Sequence, residues 1–169
     1  GIPELREFIA ARCNEKYGLG VTAADILITT GSQQALDLIA KVTLDPGDGV
    51  IVEEPGYLGA LQTFLQYAPT FHPVALSEDG LDVEGLASAL AAPQVKFIYT
   101  VPNFQNPTGL TYSVQNREAV YHVIRDKNVI LIEDDPYGEL RFDGKTLPYI
   151  AAGRFDNCIL LGSFSKTAT

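Results

Sequence analysis

The sequence predicts an α/β fold in which helices cover both faces of a mostly parallel β-sheet. Short runs of β-branched and other apolar residues alternate with segments whose apolar side chains recur at helical spacing. The chain has 169 residues, of which 46% are hydrophobic and 20% are charged, so it can bury the core of one domain. No internal repeat or low-complexity segment interrupts the alternation. We therefore expect a single three-layer αβα sandwich.

The first part of the chain contains three predicted helices and three predicted strands. A first helix is predicted between Pro3 and Gly18, because apolar residues recur there at helical spacing. Pro3 favours its first turn and Gly18 can end it. Ser32 is expected to be the N-cap of a second helix, and a third follows the Pro55–Gly56 turn. Strands are predicted at 25–30 (DILITT), 49–54 (GVIVEE) and 70–76 (TFHPVAL). Pro73 lacks a backbone N–H, so the last of these strands is expected at a sheet edge.

The second part of the chain continues the alternation with two helices and three strands. Asp82 is expected to begin a short helix that ends at Ala91, and a longer helix is predicted from Ser113 to Lys127. Strands are predicted at 95–101 (VKFIYTV), 128–135 (NVILIEDD) and 157–163 (NCILLGS). Strands that alternate with helices form βαβ units, in which neighbouring strands run parallel.

The composition argues against several classes of function. A net charge of −9 disfavours binding to nucleic acid or to an anionic membrane, because both tasks use basic surfaces. No apolar run approaches the roughly 18 residues of a membrane span, and the N-terminal residues lack the pattern of a signal peptide. Cys13 and Cys158 are isolated thiols, which are typical of a reducing compartment, so we expect a cytoplasmic protein. His72 and His122 have no partners at metal-ligand spacing, so no metal site is expected.

Polar and aromatic residues follow the carboxyl ends of five predicted strands. The segments are TGSQQ, PGY, PNFQNPTG, DDPYGE and SFSKT. In parallel sheets the ligand lies in a crevice beyond these strand ends. We therefore expect the five segments to converge on one ligand, although each of them alone has an ordinary structural explanation.

Each of these segments offers a group with a specific chemistry. The start of TGSQQ, with Ser32, can bind a phosphate through backbone N–H groups, and an ordinary helix cap explains it equally well. Asp134 ends an apolar strand, where a carboxylate needs a cation or donor, and a turn before Pro136 is the alternative. Asn106 can donate one directed hydrogen bond or simply form a turn. Tyr57 and Tyr137 can contact a flat ligand, although an aromatic residue early in a helix is more often part of the core.

Lys166 follows the last strand, where a lysine is usually a solvated surface charge. Two nucleotide sites are disfavoured: no GxGxxG follows a strand, and SFSKT lacks the glycines of a phosphate-binding loop. An anion seat, a stacking aromatic ring, a carboxylate, an amide donor and a lysine amine together suit pyridoxal 5′-phosphate. Its aldehyde reacts with a lysine amine, and its pyridine nitrogen needs an acidic partner.

With these motifs the chain resembles the large domain of the class I/II pyridoxal-phosphate-dependent aminotransferases of fold type I, over essentially residues 1–169. It is most similar to the branch that includes 2-aminoadipate and kynurenine aminotransferases and MocR-type regulators. SFSK, PNFQNPTG and DDPY are the most specific motifs, and TGSQQALDL and EEPGY add support. The resemblance implies that Lys166 forms the Schiff base, Asp134 faces the pyridine nitrogen and Tyr57 stacks on the ring. The other implied cofactor contacts are Ser32, Gln33, Asn106, Tyr137, Ser163 and Ser165.

The resemblance also implies an activity and a context. The expected reaction moves the amino group of an α-amino acid to a 2-oxo acid, in a cytoplasmic homodimer that serves amino acid metabolism. Two alternatives stay open: another fold-type-I enzyme such as a β-lyase, and the sensing domain of a MocR-type transcription regulator. The resemblance further implies a partial large domain, since the sequence lacks the family's N-terminal segment, its C-terminal small domain and the phosphate-binding arginine that follows the lysine.

Overall fold

A computed structural model describes residues 1–151, 153–154 and 156–167, and its centre is a six-stranded sheet. The strands are β1 (Gly49–Glu54), β2 (Thr70–Ser77), β3 (Gly80–Leu81), β4 (Val95–Thr100), β5 (Ile130–Asp135) and β6 (Cys158–Gly162). Their order across the sheet is β3-β2-β1-β4-β5-β6. All neighbours pair in parallel except β2 and β3, which are antiparallel. The mostly parallel sheet predicted from the sequence is confirmed.

Two helices precede the first strand, and three lie between later strands. They are α1 (Pro3–Tyr17), α2 (Ser32–Thr43), α3 (Leu58–Leu65), α4 (Val83–Ala89) and α5 (Val114–Ile124), with short 3-10 turns at Ala23–Asp25 and Gly138–Leu140. Helices α4 and α5 begin where they are predicted to begin, and Asp82 and Ser113 are their N-caps: Asp82 accepts the Glu84 N–H and Ser113 accepts the Asn116 N–H. None of the described helices is long and apolar enough to cross a membrane.

Helices pack on both faces of the sheet, which confirms the predicted three layers. On one face, Leu36 of α2 lies in a core that includes Ile132 of β5. On the other face, Leu86 of α4 and Val120 of α5 lie in a core that includes Leu131. Successive residues of β5 therefore enter opposite cores, because side chains alternate along a strand. A strand buried on both sides is apolar throughout, as the runs in the sequence indicate.

The strand predicted at 25–30 is wrong. Ala23–Asp25 form a 3-10 turn closed by a capping box between Thr22 and Asp25, and the Thr30 N–H donates to the side chain of Gln34. β-Branched residues favour an extended backbone, but a strand also needs a neighbour to pair with its backbone groups. Among the described residues, no strand pairs with this segment.

Smaller differences concern the ends of elements. Gly31 (φ 82°) is the N-cap of α2, so the prediction that Ser32 would cap this helix is wrong. Helix α4 ends at Ala89 and helix α5 at Ile124, each a few residues before its predicted end. Pro73 lies in β2 where only β1 pairs with it, because β3 reaches no further than Leu76. The predicted edge strand is therefore confirmed only in part: β2 has a free side at Pro73, but β3 pairs with its end and is the edge of the sheet.

Candidate functional site

A cleft of about 190 Å³ opens at the carboxyl ends of the central strands, beside the start of α2. The connections after β4, β5 and β6 converge there, as parallel topology requires. Eight of the nine residues predicted from the sequence line this cleft: Ser32, Tyr57, Asn106, Asp134, Tyr137, Ser163, Ser165 and Lys166. The described residues contain no cluster of three or more histidine, cysteine, aspartate or glutamate side chains that could hold a metal ion.

Gln33, the ninth predicted residue, directs its side chain away from the cleft. Its Nε2 donates to the Gly59 carbonyl and to Thr63 Oγ1, both at 3.2 Å, and so ties α2 to α3. The expectation that Gln33 contributes to a phosphate seat can therefore refer only to its backbone N–H. That group lies in the first turn of α2, where N–H groups have no intrahelical acceptor.

The start of α2 has the features of an anion-binding site. No side chain caps the helix, so its first-turn N–H groups are open to a ligand at the positive end of the helix dipole. Ser163 and Ser165 approach from the segment after β6, where the Ser165 N–H donates to Ser163 Oγ at 3.2 Å. Hydroxyl and backbone N–H groups from two elements thus line the same cleft.

Asp134 lies on the floor of the cleft and is only 4% exposed. Its Oδ2 accepts a hydrogen bond of 2.8 Å from the Tyr99 hydroxyl, and no other described residue donates to this carboxylate. Burial raises the pKa of Asp134 to about 6, the Tyr99 hydrogen bond opposes that change, and the nearby carboxyls of Asp135 and Glu53 add to it. A ligand that brings a positively charged N–H donor would supply what this carboxylate lacks.

The neighbouring Asp135 has a different function in the fold. Its Oδ1 accepts the Gly138 N–H at 2.8 Å and so forms the turn that follows β5. A Cβ atom on Gly138 would clash with the Asp135 carboxylate, so glycine lets this carboxylate keep its place in the turn. The turn carries Tyr137 to the cleft, and Glu139 anchors it to α1 through ion pairs with Arg12 and Lys16 (2.7 and 2.9 Å). The turn explanation thus applies to Asp135, while Asp134 faces the cleft.

Glu53 forms a buried hydrogen-bond network beneath the cleft. It is 2% exposed and accepts bonds from three donors: the Val101 N–H (2.8 Å), the Tyr112 hydroxyl (2.5 Å) and Gln105 Nε2 (2.8 Å). Burial raises the pKa of Glu53, and these three hydrogen bonds oppose that rise. The network joins the end of β1 to both ends of the loop between β4 and α5.

Gln105 connects the two segments that carry Tyr57 and Asn106. Its Nε2 donates both to Glu53 and to the Pro55 carbonyl at 2.8 Å, and its Oε1 accepts the Thr108 N–H and hydroxyl. Tyr57 follows Pro55 by two residues and Asn106 follows Gln105 directly. One fully bonded amide therefore sets the distance between these two cleft residues.

Lys166 stands at the mouth of the cleft, in the turn after β6. The Thr167 N–H donates to the Phe164 carbonyl and closes this turn. Lys166 is exposed and forms no hydrogen bond or ion pair with any described residue. It borders the same cleft as Asp134, so its amine is available to a carbonyl group bound there.

Sequence reasoning missed the residues that support the cleft, above all Tyr99 and Glu53. A signal for both exists in the sequence, because each carries a polar group and directly follows a run of apolar residues in a predicted strand. Glu53 ends GVIVEE in the same way that Asp134 ends NVILIEDD. A buried polar group of this kind needs a partner, and the partner marks a second residue of interest.

The family profile and the similar proteins all indicate the same protein family. Residues 1–168 match the family profile described as aminotransferase class I and II. The chain is 40% identical over 172 residues to the aromatic-amino-acid aminotransferase 1 of Thermococcus litoralis, and 40% over 171 residues to the 2-aminoadipate transaminase of Thermus thermophilus. Each match covers 98% of this chain and 41% of the relative, so the chain spans about two fifths of the length of these proteins.

A regulator and a solved structure extend the comparison. An uncharacterised HTH-type transcriptional regulator of Escherichia coli is 38% identical over 168 residues, which is 98% of this chain and 36% of the regulator. The crystal structure of Pyrococcus horikoshii kynurenine aminotransferase, in complex with PMP, superposes with a TM-score of 0.90 at 42% identity. That match covers 98% of this chain and 42% of the solved one.

Proposed function

The chain belongs to the class I and II aminotransferase family, and from this premise we propose that the whole protein is a pyridoxal 5′-phosphate-dependent aminotransferase. Residues 1–169 would then form part of its cofactor-binding large domain. The observation that carries the proposal is the convergence of Lys166, Asp134 and the start of α2 on one cleft. An amine, a buried carboxylate and an anion seat are the three groups that this cofactor requires.

The described residues fit the cofactor. The carboxylate of Asp134 has one protein donor and room for a second, which the protonated ring nitrogen would provide. The uncapped turn of α2, with Ser32, Ser163 and Ser165, would hold the phosphate.

When bound, pyridoxal phosphate supplies an electron sink for the electron pair left by removal of the amino acid's α-proton. Lys166 would bind it covalently through Nζ. Once released, the same amine would take the α-proton as general base and later return it. Asp134 would keep the proton on the ring nitrogen, and Tyr57 would pack against the ring. Asn106 and Tyr137 would donate hydrogen bonds to the phenolic oxygen of the ring and fix its orientation.

The decisive experiment compares two lysine variants of the whole protein. Lys166→Ala should lose amino transfer from an amino acid to 2-oxoglutarate, and borohydride should no longer attach the cofactor to the chain. Lys127→Ala, an exposed lysine after α5, is the matched control and should keep both properties. Normal turnover in Lys166→Ala, or borohydride labelling of another lysine, would show that the assignment is wrong.

The similarity to a transcriptional regulator supports a second candidate, in which the same site senses cofactor without sustained turnover. A helix-turn-helix domain in the whole protein, together with DNA binding that responds to pyridoxal phosphate, would favour it. A β-lyase is the third possibility, and it would release a β-substituent and ammonia instead of a new amino acid. Product analysis with an amino donor and 2-oxoglutarate separates these activities.

The finer assignments belong to the same proposal. The substrates would be an α-amino acid and a 2-oxo acid, and the protein would act as a cytoplasmic homodimer in amino acid biosynthesis. The aromatic and 2-aminoadipate specificities named for the similar enzymes support this substrate class. Sedimentation of the whole protein at several concentrations tests the dimer, and a panel of amino donors tests the substrate.

A further inference from the structure

Tyr99 holds the carboxylate of Asp134 from inside the protein. Its phenolic oxygen lies 2.8 Å from Asp134 Oδ2. In the sheet, Tyr99 of β4 is paired with Ile132 of β5, so Asp134 lies two residues further along on the same face. The Tyr99 side chain is only 2% exposed and its ring packs edge-on against Phe64 at 5.6 Å. The hydroxyl is therefore fixed next to Asp134 and cannot turn towards water.

We propose that Tyr99 is a positioning residue for Asp134, which holds Oδ2 so that Oδ1 is presented to the ring nitrogen of the cofactor. This inference rests on the proposed function. A hydrogen bond to one carboxylate oxygen restricts rotation of the group, and directs the other oxygen to the cleft that both residues line. A phenylalanine at this position would leave Oδ2 of a deeply buried carboxylate without its described donor.

The core around Tyr99 accommodates its ring, but among the described residues only Asp134 accepts a hydrogen bond from its hydroxyl. The ring lies in an apolar core with Leu36, Phe64, Phe97 and Val101. A phenylalanine would fill the same volume, so packing alone does not require tyrosine. The hydroxyl bonds to Asp134 and to no other described residue. The feature that distinguishes tyrosine from phenylalanine is therefore directed at the cleft carboxylate.

The Tyr99 phenol also stays protonated, and so remains a hydrogen-bond donor, at every working pH. Burial raises the pKa of the Tyr99 phenol, and the charge of Asp134 raises it further, so the group stays a donor. The hydrogen bond favours the ionised form of Asp134, against the effect of burial. The other titratable groups that face this carboxylate come from β1, the start of α3, β5 and the turns after β5 and β6: Glu53, Tyr57, Asp135, Tyr137 and Lys166.

The test is Tyr99→Phe in the whole protein, with Tyr67→Phe as the matched control. Tyr67 forms the same kind of bond, to Asp37 Oδ1 at 2.7 Å, outside the cleft. In the cofactor-free protein, carboxyl ¹³C NMR should find the titration midpoint of Asp134 about one pH unit higher in Tyr99→Phe. In the loaded protein, the pH below which pyridoxal phosphate dissociates, followed by its visible absorption, should rise by a similar amount. Tyr67→Phe should change neither midpoint.

A second comparison shows whether Tyr99 acts through Asp134. In an Asp134→Asn background, Tyr99→Phe should no longer move the pH dependence of cofactor release. If Tyr99→Phe lowers thermal stability but leaves both midpoints unchanged, the tyrosine is only part of the core and this inference is wrong. If the unsubstituted protein takes up no pyridoxal phosphate at any pH, the proposed function fails and this inference fails with it.

Discussion

Replacing Asp134 with asparagine should stabilise the cofactor-free protein, although it removes a residue that the proposed function needs. The carboxylate is buried with a single described donor, so its ionised form is disfavoured in the folded state. Asparagine has nearly the same shape and keeps an oxygen that accepts the Tyr99 hydroxyl. The substitution thus removes the charge while the packing around it stays the same.

The size of the gain follows from the pKa of Asp134, which is about 6 in the fold against an ordinary value of 3.8. A difference of about two pH units corresponds to about 3 kcal/mol. Because the folded-state pKa is raised, the favourable contribution of this group is complete below pH 3.8 and is lost as the pH rises through about 6. The parent protein therefore carries this cost in full at neutral pH.

The assay is urea unfolding of the cofactor-free parent and of Asp134→Asn at a series of pH values. The difference in unfolding free energy should grow in favour of the variant by about 2 kcal/mol between pH 4.5 and pH 8. Buried groups common to both proteins cancel in this difference. Asp37→Asn is the matched control, since its carboxylate also accepts a tyrosine hydroxyl, that of Tyr67 at 2.7 Å, outside the cleft, and this variant should be no more stable than the parent. A constant difference across the pH range would refute the reasoning.

Three further substitutions test the segments that support the cleft. Gly56→Ala should destabilise the protein by roughly 1–3 kcal/mol in urea unfolding, because its Cβ would lie 2.6 Å from the Glu53 carbonyl oxygen. Gln105→Leu should cost about 2–3 kcal/mol and weaken pyridoxal phosphate binding in a fluorescence titration, since it leaves Glu53 Oε2 and the Pro55 carbonyl each without a described donor; unchanged affinity would contradict its role between the two segments. Arg117→Met should cost about 3–5 kcal/mol, because the buried guanidinium donates to three carbonyls and one side-chain amide; a loss below 1 kcal/mol would contradict this.

The order of helices and strands is predictable from this sequence because each element carries a local pattern. The buried strand predicted at 128–135 contains the apolar run VILI, and α1 (Pro3–Tyr17) has a proline at its start and Gly18 as its C-cap. The segment at 25–30 has the same β-branched composition and is not a strand, because strand formation also depends on a neighbour that is distant in sequence. Strand β3 is not predicted, because it has a pairing partner but no sequence pattern of its own. Its two residues carry no pattern, and pairing with Leu76 and Ser77 defines it.

Part of the candidate site can be predicted from local sequence patterns, and part depends on contacts between distant residues. Residues at strand ends are predictable, since parallel topology brings all such ends to one edge of the sheet. The supporting contacts are not, because they join residues far apart in the chain: Tyr99 and Asp134 are separated by 35 positions, and Glu53 and Gln105 by 52. Which buried polar group meets which depends on strand register and loop geometry. A single sequence does not contain that information in local form.

The donors around three buried acidic side chains explain why only one of them is part of the proposed site. Glu133 accepts the backbone N–H groups of Ile150 and Ala151 at 2.8 and 3.0 Å. Glu53 accepts one backbone N–H and two side-chain donors. Burial raises the pKa of both, yet the fold supplies donors to each oxygen, so both acids hold loops to the sheet.

Asp134 is buried as deeply but receives a single bond, from Tyr99, and lines a cleft. An uncharged residue with complete hydrogen bonds at this position would make the ligand-free protein more stable. A destabilising carboxylate is therefore kept where a bound ligand supplies the missing partner. Among the described acidic side chains, the combination of deep burial, an incomplete donor set and an open cleft distinguishes Asp134 from Glu53 and Glu133. A cationic ring nitrogen would complete its hydrogen bonding, and this is the physical ground on which we assign the carboxylate to the proposed cofactor site instead of the core.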